Sequence, residues 1–171
     1  MIKVYVSLGS NIDRYRHITA ALNALQSRYG VLDISPIYES EAVGFEGDCF
    51  LNLVVGFQTR ETIGQLTSVF KQIEDAHGRE RGGERFSART LDLDLLLYAD
   101  RVGVHDGVIL PRDEILHNAF VLLPLADLEP GLLHPVVQKT YAELWSVYDK
   151  KQKLWPVDFD WQGKRISCAA Q

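Results

Sequence analysis

Residues 89–97 read Arg89-Thr90-Leu91-Asp92-Leu93-Asp94-Leu95-Leu96-Leu97, an alternation of apolar and acidic side chains that predicts a two-faced β-strand. On that reading Leu91, Leu93, Leu95 and Leu97 look into a core while Asp92 and Asp94 share the opposite face. Carboxylates so placed lie about 6–7 Å apart and repel by about 2.5 kcal/mol at an effective dielectric of about 20. A divalent cation reverses that cost, and hard oxygen donors favour Mg²⁺. Taken alone, an Asp-x-Asp pair is equally compatible with a solvated sheet face.

The preceding loop, His77 to Arg89, sets Arg79, Arg81, Arg85 and Arg89 among Gly78, Gly82 and Gly83. A guanidinium presents a planar fork that matches phosphate oxygens, and glycines let the backbone close on a ligand. Cationic loop and acidic strand together predict a nucleotide held with its metal.

Working outward, Ile2, Val4, Val6 and Leu8 alternate with polar residues in a first strand that ends at a Gly9-Ser10-Asn11 turn. Asp13 is placed to cap a helix carrying Ile18, Ala21, Leu22, Leu25 and Tyr29 on one side, which Gly30 stops. Leu32 to Ser40 and Phe50 to Thr59 read as antiparallel strands, and Thr62 opens a second helix with Ile63, Leu66, Val69, Phe70 and Ile73 on its apolar face. The order β-α-β-β-α-β predicts an α+β, ferredoxin-like core: helices on one face of an antiparallel sheet, the other face left for a site. Helices are expected over Asn118 to Leu128 and Thr140 to Tyr148, covering part of the sheet, then a late strand with Trp155, Val157, Phe159 and Trp161 and a frayed polar tail. One domain over 1–171 is expected, with its core at 2–148 and a C-terminal extension at 149–171.

With 171 residues and 46% hydrophobic content, the chain can bury a full core without staples. A net charge of −5 with basic groups gathered in one loop argues against nucleic acid as partner and for a small anionic ligand. Cys49 and Cys168 have no ligand spacing, and His17, His77, His105, His117 and His134 are scattered, so no zinc site is assigned. The absence of a secretory leader or long apolar run predicts a cytoplasmic protein without membrane partners, expected to be a monomer.

Three stretches carry a family resemblance: Leu8-Gly9-Ser10-Asn11, Phe50-Leu51-Asn52, and His77-Gly78-Arg79 through Leu91-Asp92-Leu93-Asp94. Together they resemble the 6-hydroxymethyl-7,8-dihydropterin pyrophosphokinases of folate biosynthesis, over roughly residues 2–148. The resemblance implies diphosphate transfer from ATP to the pterin hydroxymethyl group, releasing AMP, with two Mg²⁺ ions. It implies Asp92 and Asp94 as metal ligands, and Arg79 and Arg89 as the catalytic arginines steadying the diphosphate. Glu74, Arg81 and Arg112 fall on the ATP side. Phe50, Phe86 and Phe120 would sandwich the pterin, Asn52 and Ser40 would bond its edge, and Val43 and Gly44 would shape the pocket. An unpartnered amide buried in the apolar run Leu51-Asn52-Leu53-Val54-Val55 would cost about 1–3 kcal/mol, which points to a polar ligand edge as the partner of Asn52, with a backbone group as the alternative.

The chain also departs from the family pattern. Arg112 stands where a histidine is usual and Asn118 where an arginine is usual; Phe86 replaces a tryptophan, and Ser87-Ala88 replace Gly-Pro. Arg112 restores one positive charge, but Asn118 lacks a guanidinium's charge and fork. A noncatalytic or substrate-shifted pterin- or nucleotide-binding homologue therefore stands as the alternative. An RNA-binding ferredoxin-like domain is disfavoured by acidity and by the lack of an aromatic RNA-contact strand.

Overall fold

The computed structural model describes residues 1–41, 49–77, 91–149 and 152–169. Strand β1 (Ile2–Ser10) leads into helix α1 (Arg14–Tyr29), and short strands β2 (Asp33–Ile34) and β3 (Tyr38–Ser40) precede the long β4 (Phe50–Thr59). Helix α2 (Ile63–Ala76) and β5 (Asp92–Tyr98) complete the β-α-β-β-α-β core, counting β2 and β3 as one interrupted strand. The hairpin β6 (Gly103–His105) and β7 (Val108–Leu110) follows, then helices α3 (Glu114–His117), α4 (Ala119–Leu128) and α5 (Tyr141–Ser146). Strands β8 (Leu154–Pro156), β9 (Phe159–Trp161) and β10 (Lys164–Ser167) close the described chain.

The main sheet runs β5-β1-β4-β3-β8, all neighbours antiparallel, with β2 also on β4. Its first face buries Val4, Val6, Leu8, Leu51, Leu53, Val55, Leu93 and Leu95 against Ile18, Leu22 and Leu25 of α1 and Leu66 and Phe70 of α2. The second face carries Tyr5, Val54, Leu96 and Leu97 against Val121, Leu122 and Leu125 of α4 and Tyr141 of α5. The fold is thus the expected ferredoxin-like α+β arrangement, with the second face partly roofed.

Local chemistry explains most boundaries and several departures from expectation. Thr62 and Gln65 form a reciprocal capping box that starts α2. At α1, Gly30 takes a positive φ of 84° and returns its N–H to the Gln26 carbonyl, as its sequence position predicts. Asp13 occupies the N-cap of that helix without a side-chain cap; its carboxylate pairs with Arg16 Nε at 2.6 Å instead. β1 runs through Gly9 and Ser10 before the chain turns, two residues beyond the expected end.

The expected strand at 32–40 divides at Ser35-Pro36-Ile37, because proline has no N–H for the ladder. Ser35 repairs the break: its hydroxyl accepts from the Val54 N–H at 2.9 Å. The expected late strand likewise divides into β8, which joins the main sheet, and β9, which pairs with β10. The residues read as a frayed tail therefore include an ordered strand, and Ser167 is buried with its hydroxyl accepting from Ile37 N–H at 2.8 Å. Leu97 does not share a face with Leu91, Leu93 and Leu95. The β1–β5 register shifts between Tyr5 and Val6, skipping Leu96, so Leu97 turns to the second face opposite Tyr5.

Gly56 lies opposite Tyr5 on β4, and a Cβ there would come within 2.8 Å of Tyr5 Cε1. Because Tyr5 is buried, its ring has little room to yield. Gly56→Ala is expected to lower unfolding free energy by about 1–3 kcal/mol in chemical denaturation; an unmoved midpoint would mean the ring does not rest on that glycine.

Candidate active site

The site residues meet on the second face because strand pairing puts them in register. Asp92 lies opposite Gly9, Gly9 opposite Asn52, and Asn52 opposite Tyr38. Directly paired residues share a face, so Asp92 and Asn52 flank a glycine, two inter-strand steps of about 4.8 Å apart. A Cβ on Gly9 would stand 3.3 Å from Asn52 Oδ1 and 4.0 Å from Phe50 Cδ1, so its absence keeps the floor between Asp92 and Asn52 low. One pleat along, Asp94 lies opposite Ser7, and Ser7 opposite Val54. The expectation that Asp92 and Asp94 share a face is met, and both are half-buried.

Asn52 and Ser40 are both buried, and Asn52 Nδ2 donates to Ser40 Oγ at 2.8 Å. The buried amide therefore has a partner on the neighbouring strand, and the pair forms one polar unit. Phe50, paired with Ser40, lies on the same face and is half-buried, as is Phe120 in the first turn of α4. Sequence reasoning passed over Tyr38, which shares the row with Asn52 and donates its hydroxyl to Asp127 on α4. Burial, then the Asp127 carboxylate, holds the Tyr38 phenol far above its ordinary pKa, so it stays a donor. Its parity with Ser40, two residues on, was the available signal.

Glu74 does not face this row. It is 5% exposed at the end of α2, and Oε2 accepts the Leu93 N–H at 2.9 Å. That bond pins β5 between the two aspartates. Arg112 approaches from the segment after β7: its N–H donates to the Leu96 carbonyl at 3.0 Å, and Nη2 lies 3.4 Å from Asp94 Oδ1. Its Nε lies 3.4 Å from Glu114 Oε1. Asn118 is engaged elsewhere, its Oδ1 accepting from Gln152 Nε2 at 3.5 Å. His77, where the arginine loop begins, meets His17 of α1 Nδ1 to Nδ1 at 2.7 Å; burial lowers both imidazole pKa values, which favours a neutral pair in which one ring donates. Val43, Gly44, Arg79, Arg81, Phe86 and Arg89 lie outside the described residues.

Two half-buried carboxylates and a buried amide–hydroxyl pair on one face of a ferredoxin-like sheet suit a small polar ligand. The family model for 7,8-dihydro-6-hydroxymethylpterin-pyrophosphokinase matches residues 5–130, and the chain belongs to that family. Among its relatives is the 2-amino-4-hydroxy-6-hydroxymethyldihydropteridine pyrophosphokinase of Aquifex aeolicus, 35% identical over 84% of this chain and 90% of that protein. The Arabidopsis thaliana folate synthesis bifunctional protein is 37% identical over 74% of this chain, which spans only 27% of that longer protein. The crystal structure of Plasmodium falciparum HPPK-DHPS, 16% identical, shares the fold with a TM-score of 0.65 over 85% of this chain and 43% of that one.

Removing the Glu74 carboxylate would orphan a buried backbone donor. Glu74→Ala is expected to cost about 1–3 kcal/mol of stability and to speed hydrogen exchange at the Leu93 amide, whereas Glu74→Gln, whose amide oxygen still accepts, largely preserves both. Unchanged exchange in the alanine variant would show that the bond is not made in solution.

Proposed function

We propose that this chain transfers a diphosphate from ATP to the hydroxymethyl oxygen of 6-hydroxymethyl-7,8-dihydropterin, releasing AMP in folate biosynthesis. The observation that carries this reading is the single face shared by Asp92, Asp94 and the Asn52–Ser40 pair, with Gly9 leaving the space between them. Substrate oxygen attacks the β-phosphorus, the bond from that phosphorus to the α,β-bridging oxygen breaks, and the bridging oxygen departs with AMP. The hydroxyl proton passes to water. Such a transfer rests on alignment and charge neutralisation and requires no dedicated protein base.

The donor set fits Mg²⁺: both ligands are oxygen anions, and the Arg112 cation already lies near Asp94. Asp92 and Asp94 would hold the metal, two ions with ATP, whose charge would offset that of the phosphates. Asn52 and Ser40 present amide and hydroxyl groups to the polar edge of the pterin, with Phe50 and Phe120 against its rings. Arg79 and Arg89 steady the diphosphate, while Arg81 and Arg112 serve the nucleotide. Glu74, assigned to the ATP side by resemblance, contributes by fixing Leu93. Phe86, Val43 and Gly44 complete the pterin pocket in this reading. Two free cysteines accord with a cytoplasmic setting, and among the described residues no helix is long and apolar enough to cross a membrane.

AMP should form only when ATP, the pterin and Mg²⁺ are supplied together. Asp92→Ala and Asp94→Ala should each lower kcat/KM by at least about a hundredfold, since each removes a charge that acts on the transferring group. Full turnover in either variant, or tight pterin binding by calorimetry without any AMP release from the unaltered protein, would overturn the catalytic reading.

A further inference from the structure

Arg112 holds two relations to β5 that together have a consequence for the order of binding. Its backbone is fixed, by the N–H bond to the Leu96 carbonyl at 3.0 Å. Its side chain is not: Nη2 is 3.4 Å from Asp94 Oδ1, Nε is 3.4 Å from Glu114 Oε1, and a third of the side chain faces solvent. A guanidinium keeps its charge at any working pH, so once it leaves a carboxylate its charge must be met by water or by another anion. Exposed pairs of this kind are weak and exchange readily. Phosphate oxygens accept a guanidinium fork bidentately and carry more charge, which makes them the better partner.

We propose that Arg112 neutralises Asp94 while the site holds no metal, and that it passes to the nucleotide phosphates as metal takes the carboxylate. This rests on the reading of Asp92 and Asp94 as metal ligands. Arg112 is then a positioning residue that links the two ligands: the cation displaces it from Asp94, and the phosphates receive it. Metal and nucleotide each strengthen the other's binding, and the linkage is reciprocal. Glu114 supplies an intermediate acceptor, so the side chain is not stranded between partners.

The test uses Mn²⁺ as the probe, followed by electron paramagnetic resonance without turnover. Arg112→Ala should bind Mn²⁺ roughly two- to fivefold more tightly than the unaltered protein when no nucleotide is present, the range an exposed ion pair can supply. Arg112→Gln, which keeps most of the side-chain bulk, should behave alike, separating the effect from misfolding. With α,β-methylene-ATP saturating and equal in both samples, the gain should vanish, because Arg112 has already left Asp94. No tightening without nucleotide would overturn the proposal, as would equal tightening in both conditions, which marks a general field effect. Mn²⁺ uptake that survives Asp92→Ala combined with Asp94→Ala would overturn the metal reading itself, whatever Arg112 does.

Discussion

The architecture depends on β1 being hydrogen-bonded along both edges. It pairs with β4 from Ile2–Thr59 to Ser10–Leu51 and with β5 from Val4–Tyr98 to Gly9–Asp92. Its even residues Val4, Val6 and Leu8 enter the core under α1 and α2, which sends Tyr5, Ser7 and Gly9 to the second face. Whatever pairs with Ser7 and Gly9 must follow. A slip of one residue between β1 and β5 would drive Asp92 and Asp94 beneath the helices, where unpaired carboxylates cost several kcal/mol each by order of magnitude. Core packing and site chemistry thus select the same register, and each protects the other.

Glu74 reinforces that register from the helical side. Its buried carboxylate takes the Leu93 N–H, so α2 holds the backbone of the residue between the two aspartates. Leu93 is also buried in the core. The repulsion between Asp92 and Asp94 therefore acts on side chains whose backbone cannot easily retreat.

Much of this was legible in the sequence, for physical reasons that can be traced residue by residue. Period-two alternation gave β1 and the shared face of Asp92 and Asp94, and helical spacing with Gly30 and Thr62 gave α1 and α2. The failures lie where one residue disturbs a regular pattern. The skipped Leu96 inverts Leu97, and three consecutive leucines hide the skip, since each is apolar enough for either face. Pro36 divides a strand whose two parts still find β4. β10 escaped notice because its buried residue is Ser167, a small polar residue in a polar tail, beside a single half-buried Ile166. Asn52 was read as meeting a ligand edge or a backbone group, whereas the pairing of β3 with β4 brings it a side-chain partner, Ser40.

α4 roofs part of the second face, the face that also carries the site residues. α4 is apolar over most of its surface and rests on Val54 through Val121, Leu122 and Leu125. Tyr38 fastens it from below by donating to Asp127, close to the helix's C-terminal end. Phe120 stands at the opposite end, in the first turn, and is half-buried. An apolar helix laid across a sheet excludes water from the residues it covers and sharpens charge interactions at its margin. Asp92 and Asp94 are half-buried on that face, and Asn52 and Ser40 are buried on it. There the weak Asp94–Arg112 contact can be exchanged for a stronger one without disturbing any strand.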